Sequence, residues 1–217
     1  MLKLDFKKAY DTLEWEFVIS VLKAMGFGEK WIAWIYECIS TPCISILING
    51  APTPPFNIGR GLRQWDPLSP FLFILAAEVL NKLLENARNA GIFQGLQVGR
   101  NNVNLSHLQF ADDILIMCQA DKDSLCNVKK LLSSFQAASG LEVNYAKSGL
   151  LILGKDADWT MEMAQELGCS LINLLFNYLG FSLGCNMRHV SSWQPVLNKV
   201  QSRLSSWKAK AFLEQTG

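Results

Sequence analysis

Three aspartates have the residue type and the spacing for metal chemistry. Asp5 stands near the end of a short apolar stretch, and Asp112 and Asp113 stand between two further apolar stretches. Carboxylate oxygens are the ligands that Mg²⁺ prefers, and two such ions can clamp an in-line phosphoryl transfer. Because adjacent carboxylates repel each other, a divalent cation would favour such a pair. On the residues alone, the alternative is a surface turn that carries two acids and binds nothing.

Elements predicted from hydrophobic periodicity must bring these acids together. Their order, apart from an insertion, is strand, helix, strand, strand, helix, strand. This is the split βαβ, ferredoxin-like arrangement of an α+β domain, with Asp112-Asp113 as the turn of the middle hairpin. The first strand and the hairpin are neighbours in such a sheet, so we expect Asp5 to approach the acid pair. The strands are predicted at residues 2–6, 43–48, 103–110, 114–118, 149–153 and 178–183, and the helices at 12–26, 29–40, 69–89, 121–139, 159–167 and 191–212.

A second candidate site lies in the loop over residues 61–70, which carries Gly61 and Arg63 and enters a helix through Pro70. Backbone N–H groups at a helix start together with an arginine suit an anion such as a phosphate. A surface turn that feeds a buried helix is the alternative interpretation.

Composition excludes several classes of protein. Of 217 residues, 50% are hydrophobic and 18% charged, with a net charge of +1. That balance predicts a folded core and no overall electrostatic attraction to nucleic acid. The 6 cysteines and 2 histidines have no zinc-site spacing, and no stretch is long enough to span a membrane. We therefore expect an intracellular protein with reduced, mostly buried thiols.

Five ordered motifs resemble the reverse transcriptases of plant non-LTR (LINE-type) retrotransposons. The second motif begins at Gly61, and the third is His107-Leu-Gln-Phe-Ala-Asp-Asp. Together they span nearly the whole chain, and it is their order that makes the resemblance specific. The five lie at residues 2–15, 61–73, 107–113, 140–148 and 178–184.

The resemblance implies a right-hand polymerase palm that extends a DNA primer on an RNA template with dNTPs. It also implies that Asp5, Asp112 and Asp113 are the catalytic ligands of two Mg²⁺ ions. Tyr10 matches the aromatic residue that excludes a ribose 2′-hydroxyl. A core aromatic residue at a strand end is the alternative for Tyr10, and a solvated loop lysine is the alternative for Lys147.

Further contacts follow from the same resemblance. The residues expected around the incoming nucleotide are Phe6, Tyr10, Arg63, Gln64 and Lys147. The residues expected to hold nucleic acid are Phe181 and Ser182 at the primer, with Arg188, Lys199 and Arg203 in a stretch that carries no acid before Glu214 and suits a helix that binds a strand. A solvated helix face is the alternative for those three cations.

Two departures from the family predict weak activity or none. The second motif of the family reads Arg-Gln-Gly-Asp-Pro, and here Trp65 replaces the glycine, which usually marks a positive φ. We expect the indole to obstruct the nucleotide pocket or to displace Gln64. The chain also starts within the first motif, which predicts a truncated copy with most of its fingers missing. We expect a palm over residues 1–155, with a residual fingers segment at about 12–60, and the palm end and thumb start over 156–217. An inactive remnant, or a palm that only binds nucleic acid, is the alternative function.

Overall fold

Two compact units make up the chain, Met1–Leu171 and Ile172–Gly217. The computed structural model describes residues 1–186 and 188–214, and the side chains of Ser182 and of residues 206–214 lie outside that description. The predicted division into a palm and a thumb start at residue 155 remains a prediction.

Six helices and eleven strands are described in the first unit. The helices are α1 (Ala9–Thr12), α2 (Trp15–Ala24), α3 (Glu29–Ser40), α4 (Ser69–Asn89), α5 (Lys122–Ser139) and α6 (Ala157–Leu167). The strands are β1 (Leu2–Leu4), β2 (Cys43–Ile44), β3 (Leu47–Ile48), β4 (Ala51–Pro52), β5 (Phe56–Asn57), β6 (Leu96–Val98), β7 (Val103–Leu105), β8 (His107–Phe110), β9 (Asp113–Ile116), β10 (Gly149–Leu150) and β11 (Ser170–Leu171).

The central sheet has the strand order β11-β10-β1-β9-β8. The strands β10, β1, β9 and β8 are antiparallel neighbours, and β11 adds a parallel edge. This confirms the ferredoxin-like core predicted from the element order. The first strand lies between the third-motif hairpin and the strand that follows the fourth motif.

One face of this sheet is buried under helices. Leu4 and Ile114 are cross-strand partners in the core, and α4 and α5 contribute Phe73 and Leu132 to the same apolar cluster. Because side chains alternate along a strand, residues 3 and 115 point away from this cluster. The side chains of Lys3 and Leu115 share the opposite face, where Leu115 is also buried.

Several elements are confirmed at their predicted bounds, while some helices start at other residues than predicted. The helices α3 and α4 cover the predicted residues, and the Asp121 side chain accepts a hydrogen bond from the Ser124 N–H at the start of α5. The predicted cap at Thr12 is wrong: that residue ends α1, and its hydroxyl donates to Lys7 and Lys8 carbonyls.

The hairpin turn of the third motif differs from the prediction by one residue. Phe110 pairs with Asp113, so the two turn residues are Ala111 and Asp112, and Asp113 begins β9. Ala111 has a φ of 53°, in the left-handed region. That region costs a residue with a Cβ about 1–2 kcal/mol, so the turn is strained.

Two glycines hold the segment between β1 and α2. The Gly61 N–H donates to the Leu13 carbonyl over 2.8 Å, and the Glu14 N–H donates to the Ser139 carbonyl over 2.9 Å. A Cβ on Gly61 would lie 2.7 Å from the Asp11 carbonyl oxygen, and one on Gly140 would meet the Thr12 carbonyl oxygen. The first motif therefore contacts the second on one side and the fourth on the other.

The second unit contains a short hairpin and a helix. Its elements are β12 (Phe176–Tyr178), β13 (Phe181–Leu183), a 3₁₀ turn at Val190–Trp193 and α7 (Gln194–Glu214). The single strand predicted over residues 178–183 is wrong, because Leu179 and Gly180 adopt φ angles of 50° and 85° and reverse the chain. The predicted helix begins as the 3₁₀ turn and continues as α7.

The thiols are less buried than predicted. All 6 cysteines are free, but only Cys118 is buried, whereas Cys38 and Cys43 are exposed. The exposed Cys43 thiol is held by the Asn57 side chain, 3.0 Å away. Among the helices of the described residues, none has the length and apolar character of a transmembrane span.

Candidate active site

Asp5 and Asp113 leave adjacent strands at the same edge of the sheet. The last cross-strand pair between β1 and β9 is Leu4 with Ile114, and each aspartate stands one position beyond it. Lys3 and Leu115 face each other one position before that pair, so alternation assigns both aspartates to their face, away from the core. Opposite residues in an antiparallel pair are about 5 Å apart at their Cα atoms, within reach of a shared ion.

Asp112 lies in the turn next to this edge and is exposed. Its charge reaches Tyr10 of the first motif. Burial raises the pKa of the Tyr10 phenol above 10.0, and the nearby Asp112 carboxylate raises it further. The third motif therefore lies close to both Asp5 and Tyr10, as the resemblance requires.

The three carboxylates provide the oxygen donors that suit Mg²⁺. Within residues 1–186 and 188–214, however, no three His, Cys, Asp or Glu side chains are already gathered as a metal-binding group. The residue types at this edge thus match the oxygen donors of a divalent cation, although their side chains are not gathered as one group.

Tyr10 joins three motifs. Its ring stacks on Phe73 of α4, with centroids 4.9 Å apart, and its carbonyl accepts the Leu62 N–H over 2.6 Å. The phenol is close to Asp112. The side chain is only partly buried. Tyr10 is thus a partly buried, packed aromatic residue. This is compatible both with a core aromatic residue and with one that contacts a ribose.

Trp15 anchors the loop of the second motif. This buried side chain begins α2, and its indole N–H donates to the Gly61 carbonyl over 2.6 Å. With the bonds from Gly61 to Leu13 and from Leu62 to Tyr10, three hydrogen bonds fix the loop start against the first motif.

The loop residues Arg63 and Gln64 are exposed, as a nucleotide contact requires. The Arg63 guanidinium lies 2.7 Å from the Asp66 carboxylate. A hydrogen bond from the Leu68 N–H is the main cause that lowers the pKa of Asp66, so this carboxylate stays ionised. Arg63 and Gln64 line a groove of about 270 Å³ together with Arg60 and the apolar Ile58.

Trp65 adopts a φ of 67°, the conformation for which the family uses glycine. The strain costs about 1–2 kcal/mol. Its side chain is 100% exposed, so the ring neither fills the groove nor displaces Gln64. The expected positive φ is confirmed, while obstruction of an incoming nucleotide by the exposed ring stays a prediction.

The fourth motif packs beside Asp5. The Asp5 N–H donates to the Ser148 hydroxyl over 3.2 Å, and its carbonyl accepts the Asn144 N–H over 2.7 Å. Lys147, next to Ser148, is exposed, while Phe6 is 8% exposed and bridges to Val143. Lys147 is therefore free to approach a ligand at this edge, whereas Phe6 supports the strand from the core.

The residues predicted to hold nucleic acid lie within the second unit. Phe181 packs edge-on against Trp193, with ring centroids 6.1 Å apart. Lys199 and Arg203 are exposed and one helical turn apart on α7, and Arg188 is exposed before the helix. The Ser182 side chain lies outside the described residues.

Comparison with known sequences decides the family. Residues 1–183 match the family described as "Reverse transcriptase (RNA-dependent DNA polymerase)". The chain belongs to the reverse transcriptase family. Among its relatives, this reverse transcriptase is 32% identical over 151 residues to a "Retrovirus-related Pol polyprotein from type-1 retrotransposable element R2" of Popillia japonica. It is 28% identical over 212 residues to the "Transposon TX1 uncharacterized 149 kDa protein" of Xenopus laevis.

These matches cover unequal shares of the two partners. The match to the Popillia japonica protein covers 68% of this chain and 20% of that protein. The match to the Xenopus laevis protein covers 97% of this chain and 16% of that protein. The chain thus corresponds to a small part of the proteins that it resembles. That part is the reverse transcriptase domain of a non-LTR retrotransposon.

A solved structure confirms the polymerase palm fold. The apo telomerase of Candida tropicalis, truncated from its C-terminal domain, superposes with a TM-score of 0.57. The alignment covers 85% of this reverse transcriptase and 34% of the telomerase chain, at 19% identity. At that identity the likeness concerns the fold alone.

Sequence reasoning missed three supporting residues of the site. Trp15, Phe73 and Ser148 are the last residues of the first, second and fourth motifs, and the resemblance gives none of them a role. The structure uses them to hold Gly61, Tyr10 and Asp5 respectively. Only Ser148 had a sequence signal, because a hydroxyl beside a sharp turn is a common backbone partner.

Proposed function

We propose that this domain is an RNA-directed DNA polymerase palm that adds dNTPs to a DNA primer on an RNA template. The observation that supports it is the register of β1 and β9, which sets Asp5 and Asp113 at one edge of adjacent strands with Asp112 in the turn beside them. In this proposal Asp5, Asp112 and Asp113 would hold two Mg²⁺ ions, whose charge would favour ionisation of a primer 3′-hydroxyl and neutralise a triphosphate.

The remaining residues have matching roles. Tyr10 excludes a ribose 2′-hydroxyl, Arg63 and Gln64 contact the nucleotide, and Lys147 approaches the triphosphate. Phe6 supports the pocket from below. Phe181, Ser182, Arg188, Lys199 and Arg203 hold the primer and template strands. The exposure of Arg63, Gln64, Lys147, Lys199 and Arg203 supports these assignments.

Primer extension on an RNA template with Mg²⁺ and dNTPs tests the proposal. We expect little or no extension by this chain, a gain from Trp65→Gly when the fingers of a relative are joined to it, and complete loss of extension when Asp112→Asn is added. Extension that survives Asp112→Asn would show that another site or a contaminant performs the reaction.

An inactive remnant is the second candidate, and Trp65 is the observation that favours it. A fully exposed indole beside Arg63 and Gln64 can block an incoming nucleotide even though it contacts nothing within the chain. The absence of any gain in Trp65→Gly, in a longer chain that includes the fingers of a relative, would show that the ring is tolerated and would remove this argument for a remnant.

Three finer expectations remain predictions. A plant source is not supported by the beetle and frog relatives. A truncated copy with missing fingers stays a prediction, and the chain spans 16% and 20% of the lengths of those proteins. An intracellular location depends only on the free cysteines.

A further inference from the structure

Trp65 is the most exposed of the large apolar side chains in the described residues, with 100% of its surface accessible. Full exposure means that both faces of the indole are open. The φ of 67° at this residue directs the side chain out of the loop between Gln64 and Asp66. The indole contributes nothing to the core, so packing does not explain why a tryptophan occupies this position.

Cations lie close to this ring in the chain. Arg60 and Arg63 line the adjacent groove, and both side chains are exposed. Arg60 pairs with Glu14 over 3.2 Å, and Arg63 pairs with Asp66 over 2.7 Å. Exposed ion pairs of this kind are weak, so either arginine can exchange its carboxylate for a phosphate.

The surroundings favour a nucleobase over a protein surface. A protein partner generally requires a contiguous apolar patch around a central aromatic residue. The chain neighbours of Trp65 are the polar Gln64 and Asp66, so the ring does not stand in a continuous apolar stretch of the sequence. A single base needs only one open ring face, and stacking on an aromatic side chain is a recurrent way of holding single strands.

We propose that Trp65 is a stacking platform for an unpaired base of the single-stranded template, with Arg60 and Arg63 available to the adjoining phosphates. This inference rests on the proposed function, because it presupposes a strand that crosses the second-motif loop. The residue thereby adds sequence-independent strand binding at a position where the family has no side chain.

Fluorescence anisotropy with a short labelled oligoriboadenylate tests the platform. Trp65→Ala keeps a Cβ at the positive φ, so the variant removes the ring while the backbone strain at residue 65 stays the same. We expect about tenfold weaker binding for Trp65→Ala and near wild-type binding for Trp65→Phe. Trp31→Ala is the matched control, since Trp31 is also exposed, at 47%, but lies on α3.

Salt dependence and indole emission identify the kind of contact. A stacking contact leaves the slope of log affinity against log salt unchanged in Trp65→Ala, whereas loss of a phosphate contact reduces it. The oligonucleotide should also quench emission in the wild-type chain more than in Trp65→Phe.

Three results would overturn the proposal: equal affinity of Trp65→Ala and wild type, a reduced salt slope, or equal quenching by free dNTPs, which would assign the ring to the incoming nucleotide. Mn²⁺ binding on the same preparations separates this failure from that of the proposed function. If the wild-type chain binds Mn²⁺ and Trp65→Ala binds the oligonucleotide as well as wild type does, only the stacking proposal fails. If the wild-type chain does not bind Mn²⁺, the proposed active site fails.

Discussion

The ring of Tyr10 stacks on the ring of Phe73, with centroids 4.9 Å apart and planes 14° from parallel. Tyr10 belongs to the first motif, and Phe73 is the last residue of the second motif and lies on α4. The phenol is also close enough to Asp112 for that carboxylate to raise its pKa. One aromatic pair therefore fixes the distance between the helix, the first motif and the acidic turn.

Tyr10→Ala should relax sugar selection. Removing the ring opens space beside Asp112 for a 2′-hydroxyl, so we expect rNTP incorporation to rise relative to dNTP incorporation by tenfold or more, on the order of a lost steric contact. The measurement is primer extension in the Trp65→Gly background. Tyr10→Phe is the control, because it retains the ring, and it should keep the discrimination. Equal discrimination by all three chains would make Tyr10 a core residue only.

Gly61→Ala should destabilise the fold more than Gly26→Ala does. Both glycines have positive φ, at 86° and 82°, but only Gly61 faces a backbone oxygen at 2.7 Å. We expect Gly26→Ala to lower the free energy of unfolding by about 1–2 kcal/mol from backbone strain. Gly61→Ala should lower it by about 3 kcal/mol or more. Urea denaturation measures both, and equal losses would show that the loop yields without disturbing the first motif.

Trp65→Gly should stabilise the chain. The fully exposed ring makes no packing contact, so its removal loses little, whereas glycine accepts the φ of 67° without strain. We expect a gain of about 1 kcal/mol in the free energy of unfolding, reduced in part by the larger entropy of a glycine in the unfolded chain. A loss of stability would indicate that the indole is packed in solution.

Stability should fall when the pH drops below 6.5, and His107 should be responsible. Burial lowers the pKa of His107, and Arg88 lowers it further. Its Nε2 lies 2.6 Å from the Asn81 side-chain oxygen. The unfolded chain then binds a proton at higher pH than the folded chain, so the contribution is complete above pH 6.5 and is lost as the pH falls toward the folded value.

Chemical denaturation at several pH values measures that slope. His107→Gln should flatten it between pH 6.5 and the folded pKa. The other histidine of the chain, the exposed His189, provides the control, and His189→Gln should leave the slope unchanged. An unchanged slope in His107→Gln would assign the pH dependence to the carboxylates.

Long, strongly periodic elements and the strand order were predictable from the sequence. The helices α3, α4 and α5 have clear apolar faces and punctuating glycines, and they were found at their predicted bounds. The pairing of β1 with β9, next to the acidic turn, followed from the element order alone. These features depend on local pattern and on the few topologies that a split βαβ unit allows.

Features set by tertiary contacts were not predictable. The acidic turn shifted to Ala111-Asp112 because the pairing of Phe110 with Asp113 overrides the preference for glycine at positive φ. Leu179, which precedes Gly180, likewise adopts a left-handed φ, although leucine is not a residue type that predicts a turn. The outward position of Trp65 could not be read from its residue type, since a large apolar side chain is ordinarily expected to pack.

Mn²⁺ affinity in a double-mutant cycle tests the central claim most directly. If Asp5 and Asp112 share ions, Asp5→Asn and Asp112→Asn should each weaken Mn²⁺ binding on the order of tenfold or more. The double variant should then bind little worse than either single one, because the site is already broken. Asp123→Asn, an exposed acid on α5, should have no effect. Independent, additive losses or an unchanged affinity in Asp5→Asn would contradict a shared metal site at this edge of the sheet.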